Sequence, residues 1–347
     1  MNSTYLVTCL IDNGTCGTLS YGLLSKNNLN IVFASNIRTV TLTGPITVDV
    51  PSSVIVDGGR GVTIIAGSSF SGGNYLISDS INSPTKVTFK NIIFNGNAVA
   101  GGINVNNGDY VLENCIIKNC IGTNGNDGTG GGVNTYGCGM IKLNYCTISR
   151  CVGGAGGGGN FIFGNGGAGG VNTNNNGTVQ LNYCTISNCV GGAGGNGGLI
   201  CGNGGAGGVN TNNNGTVQLT NCTISNCVGG NGSSGGSGGA GGINVVGNCK
   251  YIVINCTISA NIAGTGTNTV ADGIYLYNVQ STSVFTIGNT IVSGNGTTNF
   301  STFNSSKALN DIGYNFVPNA SSYFSATSDI TNIPSANLIV LYRYYLY

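Results

Sequence analysis

Apolar and polar residues alternate along this chain in short runs, TVQL at 178–181 and YIVI at 251–254 among them, each bounded by Gly, Asn or Ser. Alternation with a period of two marks a half-buried strand, and no stretch carries apolar residues at helical spacing. The chain is therefore predicted to be all-β. One segment, GGAGGVNTNNNGTVQLNYCTISNCVGG at 166–192, returns almost unchanged as GGAGGVNTNNNGTVQLTNCTISNCVGG at 204–230, an offset of 38 residues. Weaker copies begin at Asn91 (NIIFNGN), Asn114 (NCIIKNC), Tyr145 (YCTISRC), Asn255 (NCTISAN) and Asn289 (NTIVSGN). Aligned on the first cysteine they form the ladder Ile92, Cys115, Cys146, Cys184, Cys222, Cys256, Thr290, spaced by 23, 31, 38, 38, 34 and 34 residues.

A core of about 23 residues with variable insertion is what three short strands and their turns consume in one coil of a parallel β-helix. The predicted fold is a right-handed, single-stranded parallel β-helix, a solenoid in which each strand pairs in register with its copies above and below. The insertions fall between each CxxxxC and the next GGVN or GGIN, so the Gly-rich loops should leave one corner of the solenoid side by side. Residues 1–80 are expected to form an N-terminal cap and the first coils, 81–300 the repeat coils, and 301–347 the C-terminal coil and a closing tail. Within a repeat, Cys184 and Ile186 should point inward and Thr185 and Ser187 outward. Cys189 should sit at the turn into the loop, where other coils carry Asn97, Asn261 and Asn295.

The paired cysteines raise the question of metal or disulfide chemistry. A structural zinc site needs two close Cys pairs or a Cys/His set, and the chain has no histidine, so no metal site and no cofactor is expected. Stacked coils lie about 4.8 Å apart, inside the Cα range a disulfide tolerates. A disulfide ladder through Cys146, Cys184 and Cys222, or through Cys151, Cys189 and Cys227, is therefore possible in an oxidising compartment. The other reading is that these are buried unpaired thiols acting as small apolar rungs.

Composition narrows the functional classes. Of the 347 residues only 6% are charged and the net charge is +1, which leaves nothing to recruit nucleic acid or an anionic membrane surface. Glycine reaches 63 residues with only 5 prolines, unlike collagen, and 40% hydrophobic residues exclude a disordered low-complexity chain. The opening MNSTYLVTCLIDNGT has no basic n-region and its apolar run is broken by Thr8 and Asp12, so no signal peptide is read there. No apolar segment is long enough to span a bilayer as a helix, and the tail NLIVLYRYYLY reads as one alternating segment that closes the last coil.

The alternation of GGVN and GGIN with FNGN, ISNC and ISAN resembles the GGA(I/L/V) and FxxN repeats of polymorphic outer-membrane-protein-type β-helices, most closely at Phe94 to Asn97. The N-terminal run is similar to the first coil of CSLREA-type and choice-of-anchor β-helix proteins. The matching positions are Asp12 to Leu19, Ile31 to Phe33, Val40 to Leu42 and Val56 to Gly58, and DIGYNFV at 311–317 resembles the last coils of that group. The resemblance spans roughly residues 5–318 and implies a surface or adhesin-like β-helix. With no export signal, sorting motif or translocator barrel read in the chain, association with a particle such as a virion stands beside the cell surface as the expected location. Trimerisation follows only by analogy with β-helical fibres.

Carboxylates are the residues that could carry catalysis, because glycoside hydrolysis needs two of them about 5 to 9.5 Å apart. The acid-rich region holds Asp109, Glu113 and Asp127, but the ladder register stacks Lys86 over Asp109 and Lys90 over Glu113, which accounts for them as cross-rung ion pairs. The glycine runs lack a phosphate-loop signature. Two of them carry an apolar knot, Phe161 and Phe163 in one and Leu199 and Ile200 in the next, which either pins the loop or forms a binding patch. The outward Thr-x-Ser pairs led by Thr147, Thr185, Thr223 and Thr257 form a second candidate surface, similar to the hydroxyl ladders of insect antifreeze proteins. The sequons at Asn176, Asn214, Asn295 and Asn319 arise readily by composition. The leading expectation is a non-catalytic scaffold that binds carbohydrate or a surface protein. The alternatives are a polysaccharide-degrading enzyme on the same fold and an ice-binding protein.

Overall fold

The computed structural model describes residues 3–24, 29–49, 53–70, 75–79, 86–158, 164–196, 202–268, 270–279, 282–303, 309–318, 324 and 328–331. It is a parallel β-helix. The described strands form one sheet of 19 and another of 9, and consecutive coils pair in parallel and in register. A representative coil runs from Val171–Thr173 in the smaller sheet, through a turn, into Thr178–Asn182 and then Thr185–Ser187 in the larger one. The 38-residue offset read from sequence is the observed register, with Val179 opposite Val217 and Ile186 opposite Ile224.

The core consists of columns. Leu112, Leu143, Leu181, Leu219, Val253 and Ile287 form one, all buried. Ile117, Ile148, Ile186, Ile224, Ile258 and Val292 form another. Each such side chain contributes about 1.5–3 kcal/mol of burial. Aromatic rings share the core with these columns. Phe89 meets Phe94 edge to face at 5.2 Å, and Tyr251 stacks on Phe285 at 5.5 Å. The first coil is covered by the short helix Leu19–Leu23, where Thr18 accepts from the Tyr21 amide and Asp12 accepts from the Ser20 amide at 2.8 Å. This helix buries Leu19 and Leu23 over an end that would otherwise expose unpaired strand edge.

Left-handed residues recur at two corners flanking the last strand of the coil, besides the pairs Asn175–Asn176 and Asn213–Asn214 in the turn before the larger sheet. Asn91, Asn114, Tyr145, Tyr183, Asn221, Asn255 and Asn289 hold the first, with φ between 47° and 56°. Asn119, Arg150, Asn188, Asn226 and Ala260 hold the second, with φ between 52° and 55°. Asparagine tolerates this region better than any other residue with a side chain, which gives the asparagine richness of the repeats a backbone cause.

The glycine-rich insertions leave one corner side by side, as the repeat positions require, but they are packed structure and not free loops. Along the outgoing limb 190–196, Gly191 and Gly194 donate to Val228 and Asn231 of the next coil, both at 2.8 Å. Gly192 and Gly195 donate sideways to Gly167 and Gly164 of the limb returning from the previous loop, at 2.8 and 2.9 Å. Val190, Ala193 and Asn196 face solvent. Direction thus repeats every third residue, the periodicity of a polyproline-II helix. The lateral bonds continue from limb to limb: Gly167 to Gly154, Gly192 to Gly167, Gly205 to Gly192, Gly230 to Gly205, Gly239 to Gly230 and Gly264 to Gly239, all at 2.8–2.9 Å. The result is a two-layered slab of hydrogen-bonded glycine chains fused to the side of the solenoid. A Cβ on Gly192 would overlap the carbonyl oxygen of Gly154, and one on Gly230 that of Gly192. Only glycine fits positions where backbones approach this closely.

The slab makes a position-specific prediction. Gly192→Ala should destabilise the protein by about 2–3 kcal/mol through backbone overlap, whereas Ala193→Ser, one residue on and solvent-facing, should change stability by less than about 0.5 kcal/mol. Thermal melting of the two variants checks this, and equal effects would contradict the packed slab.

Candidate functional site

The Thr-x-Ser residues assemble as their spacing requires. Thr147, Thr185, Thr223 and Thr257 pair in register on adjacent coils, with Ser149, Ser187, Ser225 and Ser259 beside them, all half-buried and outward. The column ends where Ile116 replaces threonine at one side and Ile291 at the other. Next to it lies a feature that the repeat reading passed over. Tyr145 and Tyr183 occupy the first left-handed corner, where the flanking coils use asparagine. They are 62% and 54% exposed, and their rings stack at 5.0 Å with 12° between planes. A bulky side chain at positive φ is disfavoured, so two adjacent rungs accept backbone strain and present an aromatic pair to solvent. The signal was in the sequence, as NYC against the NC of other copies. Phe161, Phe163, Leu199 and Ile200 lie outside the described residues.

The cysteines line two internal columns, and their partners explain them. Cys146, Cys184 and Cys222 each donate their thiol to a carbonyl two residues back, at 3.3 Å, and to one on the preceding coil: Leu112 at 3.5 Å, Leu143 at 3.4 Å and Leu181 at 3.3 Å. Thr290 replaces cysteine on a later rung and makes the same pair of bonds through its hydroxyl, to Gly288 at 2.9 Å and Val253 at 3.5 Å. In the second column Cys151, Cys189 and Cys227 direct Sγ to Ile117, Ile148 and Ile186 at 3.9 Å. Asn261 and Asn295 take over with Nδ2 bonds to Ile224 and Ile258 at 3.1 and 2.9 Å. The columns therefore need a small inward donor where a left-handed corner leaves a carbonyl unpaired. Here the thiols are unbridged. Hydrogen bonding with the neighbouring thiols Cys146 and Cys222, followed by burial, pushes the Cys184 thiol up, the same bond to Cys184 lowers Cys222, and hydrogen bonding with Cys189, followed by burial, raises Cys227. A raised thiol is a poor nucleophile. Asn97 departs from its expected place in this column. Asn97 and Ala98 are both left-handed, at φ 51° and 56°, which turns the amide outward to donate to Ala66 at 3.1 Å.

The carboxylates are tied to the frame. Lys86 reaches Asp109 at 3.9 Å and Lys90 reaches Glu113 at 2.9 Å, the two cross-rung pairs expected from the register. Asp79, buried, accepts from the amides of Asn106 at 2.6 Å and Asn107 at 2.8 Å and holds the turn into Asp109–Glu113. Asp272 accepts from Ala263 at 2.7 Å and Thr298 at 2.8 Å and holds one glycine limb to the next coil. Asp127 does the same for Asn165 at 2.8 Å. At the last coil Asp311 accepts from Gly313 at 2.9 Å and Asp329 from Asn315 at 2.7 Å. Burial, then the neighbouring Asp311 carboxyl, raise the Asp329 pKa above the usual carboxylate value. Among the described residues no group of three or more acidic, Cys or His side chains is placed to hold a metal ion, and no helix is long and apolar enough to cross a membrane. Of the sequons, Asn295 is buried with its amide engaged, so it is not a glycan acceptor in the folded protein, and Asn319 lies outside the described residues.

The outer face of the smaller sheet carries a ladder of amides. Asn134 donates through Nδ2 to Asn104 Oδ1 at 2.7 Å, Asn172 to Asn134 at 3.0 Å, Asn210 to Asn172 at 2.9 Å and Asn244 to Asn210 at 2.9 Å. Every amide points the same way along the solenoid. Each polarises the next, which strengthens the chain of bonds.

No protein-family model matches the chain, and no curated protein matches it. Among solved structures it is similar to a chain titled Geobacillus virus E2 - ORF18, at 11% identity and a TM-score of 0.36, over 83% of this chain and 52% of that one. The chain thus spans about half the length of that protein, and a likeness this distant argues for neither a shared fold nor a shared role.

Two outcomes follow from these sites. Tyr145→Asn and Tyr183→Asn should each raise stability by up to about 1 kcal/mol, because asparagine relieves the left-handed strain. Chemical denaturation measures this, and a loss of stability would show that ring stacking outweighs the strain. For Asp329 the sign follows from its raised pKa: the acid form is the one favoured in the folded state. Its contribution is complete below the ordinary carboxylate pKa and is lost as pH rises through the raised value. Asp329→Asn should therefore raise the melting temperature at pH 7 and flatten its dependence on pH from about 3 to 7. An unchanged profile in that variant would remove Asp329 as its source.

Proposed function

We propose that this protein is a non-catalytic, surface- or particle-associated β-helical scaffold that binds carbohydrate or protein on its glycine-slab side. The observation that carries this reading is the slab itself. Insertions long enough to act as mobile lids are instead bonded limb to limb through glycine backbones, which holds that side of the molecule in a repeating, rigid arrangement. Rigid, repeating surfaces suit extended partners with a repeat of their own, since binding then costs little ordering. The roles of the carboxylates in ion pairs, turns and limb anchors support the non-catalytic side of the reading. The likeness of the repeats to polymorphic outer-membrane-protein and CSLREA-type β-helices agrees with an adhesin-like role.

A second contact surface is favoured by the strained, exposed Tyr145–Tyr183 pair beside the Thr/Ser column. Stacked tyrosines offer an apolar face with polar rims, a surface fitted to sugar rings and to protein side chains alike.

The test is retention on a panel of immobilised polysaccharides, with mass spectrometry of the sugars after incubation. Retention with intact sugar chains is the expected result. Shortened chains would overturn the non-catalytic reading and return attention to carboxylates brought together from distant coils.

A further inference from the structure

We propose that the cleft between the returning glycine limbs and the outer face of the smaller sheet is a binding site for a neutral saccharide. The proposal rests on the scaffold reading and names a ligand class and a place for it. The cleft is shallow and open to solvent, and is lined by Asn203 and Ser237 from the limbs and by Asn210, Asn244, Tyr275 and Tyr277 from the sheet.

The amide ladder ends inside this cleft. From Asn134 on, each asparagine spends its Nδ2 on the Oδ1 of the preceding coil, so the last one, Asn244, keeps a carbonyl oxygen that nothing bonds, although the residue is only 7% exposed. On the next rung Tyr275 takes the asparagine position. Its hydroxyl is also buried and without a partner in a residue 2% exposed. Burial pushes this phenol up to about 12, so it remains a neutral O–H able to donate or accept. Buried polar groups are nearly always satisfied, and two orphans on adjacent rungs of one cleft are the pattern a ligand hydroxyl would complete. The ladder's common direction makes Asn244 Oδ1 the negative end of a polarised chain, and hence a strong acceptor.

The other wall is aromatic. Tyr277 lies 6.0 Å from Tyr275 and stacks on Phe303 at 5.5 Å with 7° between planes. A half-buried ring next to an acceptor and a hydroxyl matches a sugar, which has an apolar C–H face and a hydroxyl rim. No lining residue is charged, which selects against phosphorylated or acidic sugars, whose charge would go unpaired. A peptide is a poorer match, because the surrounding strands already pair with their neighbours on both sides and offer no edge for strand addition.

The probes are neutral oligosaccharides of the gluco, manno, galacto and N-acetylglucosamine series, titrated into the full chain by calorimetry with saturation-transfer NMR for weak binders. At least one series should bind. Tyr275→Phe, which removes only the unpartnered hydroxyl and keeps the ring, should weaken it about tenfold at an unchanged or higher melting temperature. Tyr277→Ala should abolish binding, and because Tyr275→Phe leaves the packing intact, a folding failure of the alanine variant would not decide the matter. If no series binds, or if binding is untouched by Tyr275→Phe, the cleft proposal is wrong. In the second case sensitivity to Tyr145→Asn would place the sugar on the Tyr145–Tyr183 surface and leave the scaffold reading standing. That reading falls separately, by cleavage of the sugar.

Discussion

The structure depends on one spacing, the distance between hydrogen-bonded backbones in adjacent coils. Parallel in-register pairing sets it at about 4.8 Å, and every other feature is a way of living with it. Apolar residues fill it as aliphatic columns. Amides fill it as a one-way chain of side-chain bonds. Thiols fill it at the corners, where threonine and asparagine can stand in because what is required is a small donor to a carbonyl of the coil before. A spacing shared by so many interactions is hard to perturb at one rung alone, since a shift there would misalign neighbours on both sides.

Glycine carries the same constraint further. In the strands the backbones meet edge to edge and side chains stand clear of the contact. In the slab the chains also pack laterally, and a methyl group would overlap a carbonyl at most inward positions. The conformational entropy lost by ordering glycine is larger than for any other residue, and the offset comes from bonds in two directions per three-residue turn together with burial of inward glycines such as Gly191, Gly192, Gly194 and Gly195. That is why the exposed third position is free to vary through Val190, Ala193 and Asn196 while its neighbours stay glycine.

Much of the frame was legible in the sequence because it depends on local pattern and repeat offset. The inward cysteine and isoleucine, the outward threonine and serine, and the pairing of Lys86 with Asp109 and Lys90 with Glu113 all follow from one alignment. The slab was not read, although its triplets VGGAGG and NGGAGG are plain, because their meaning lies in bonds between limbs from different coils. The helix Leu19–Leu23 was missed since five residues show no periodicity. The cleft was invisible for a related reason: its walls come from three coils and three limbs, and no single repeat contains it.

The candidate sites share a physical character that the perfect repeats lack. Where the 38-residue unit copies itself, the stacked amides satisfy one another up the ladder, and the unpartnered hydroxyls of Thr173 and Thr211 are buried in the interior. Chemistry appears where the copying stops. Tyrosine stands at a corner built for asparagine in two coils, and the amide ladder stops at Tyr275, leaving Asn244 with an unspent acceptor. In a solenoid, each rung is the template for the next, so a substitution that breaks a ladder leaves an orphan group on the rung before it. Ladder ends are therefore where such a fold can gain recognition without rebuilding its core.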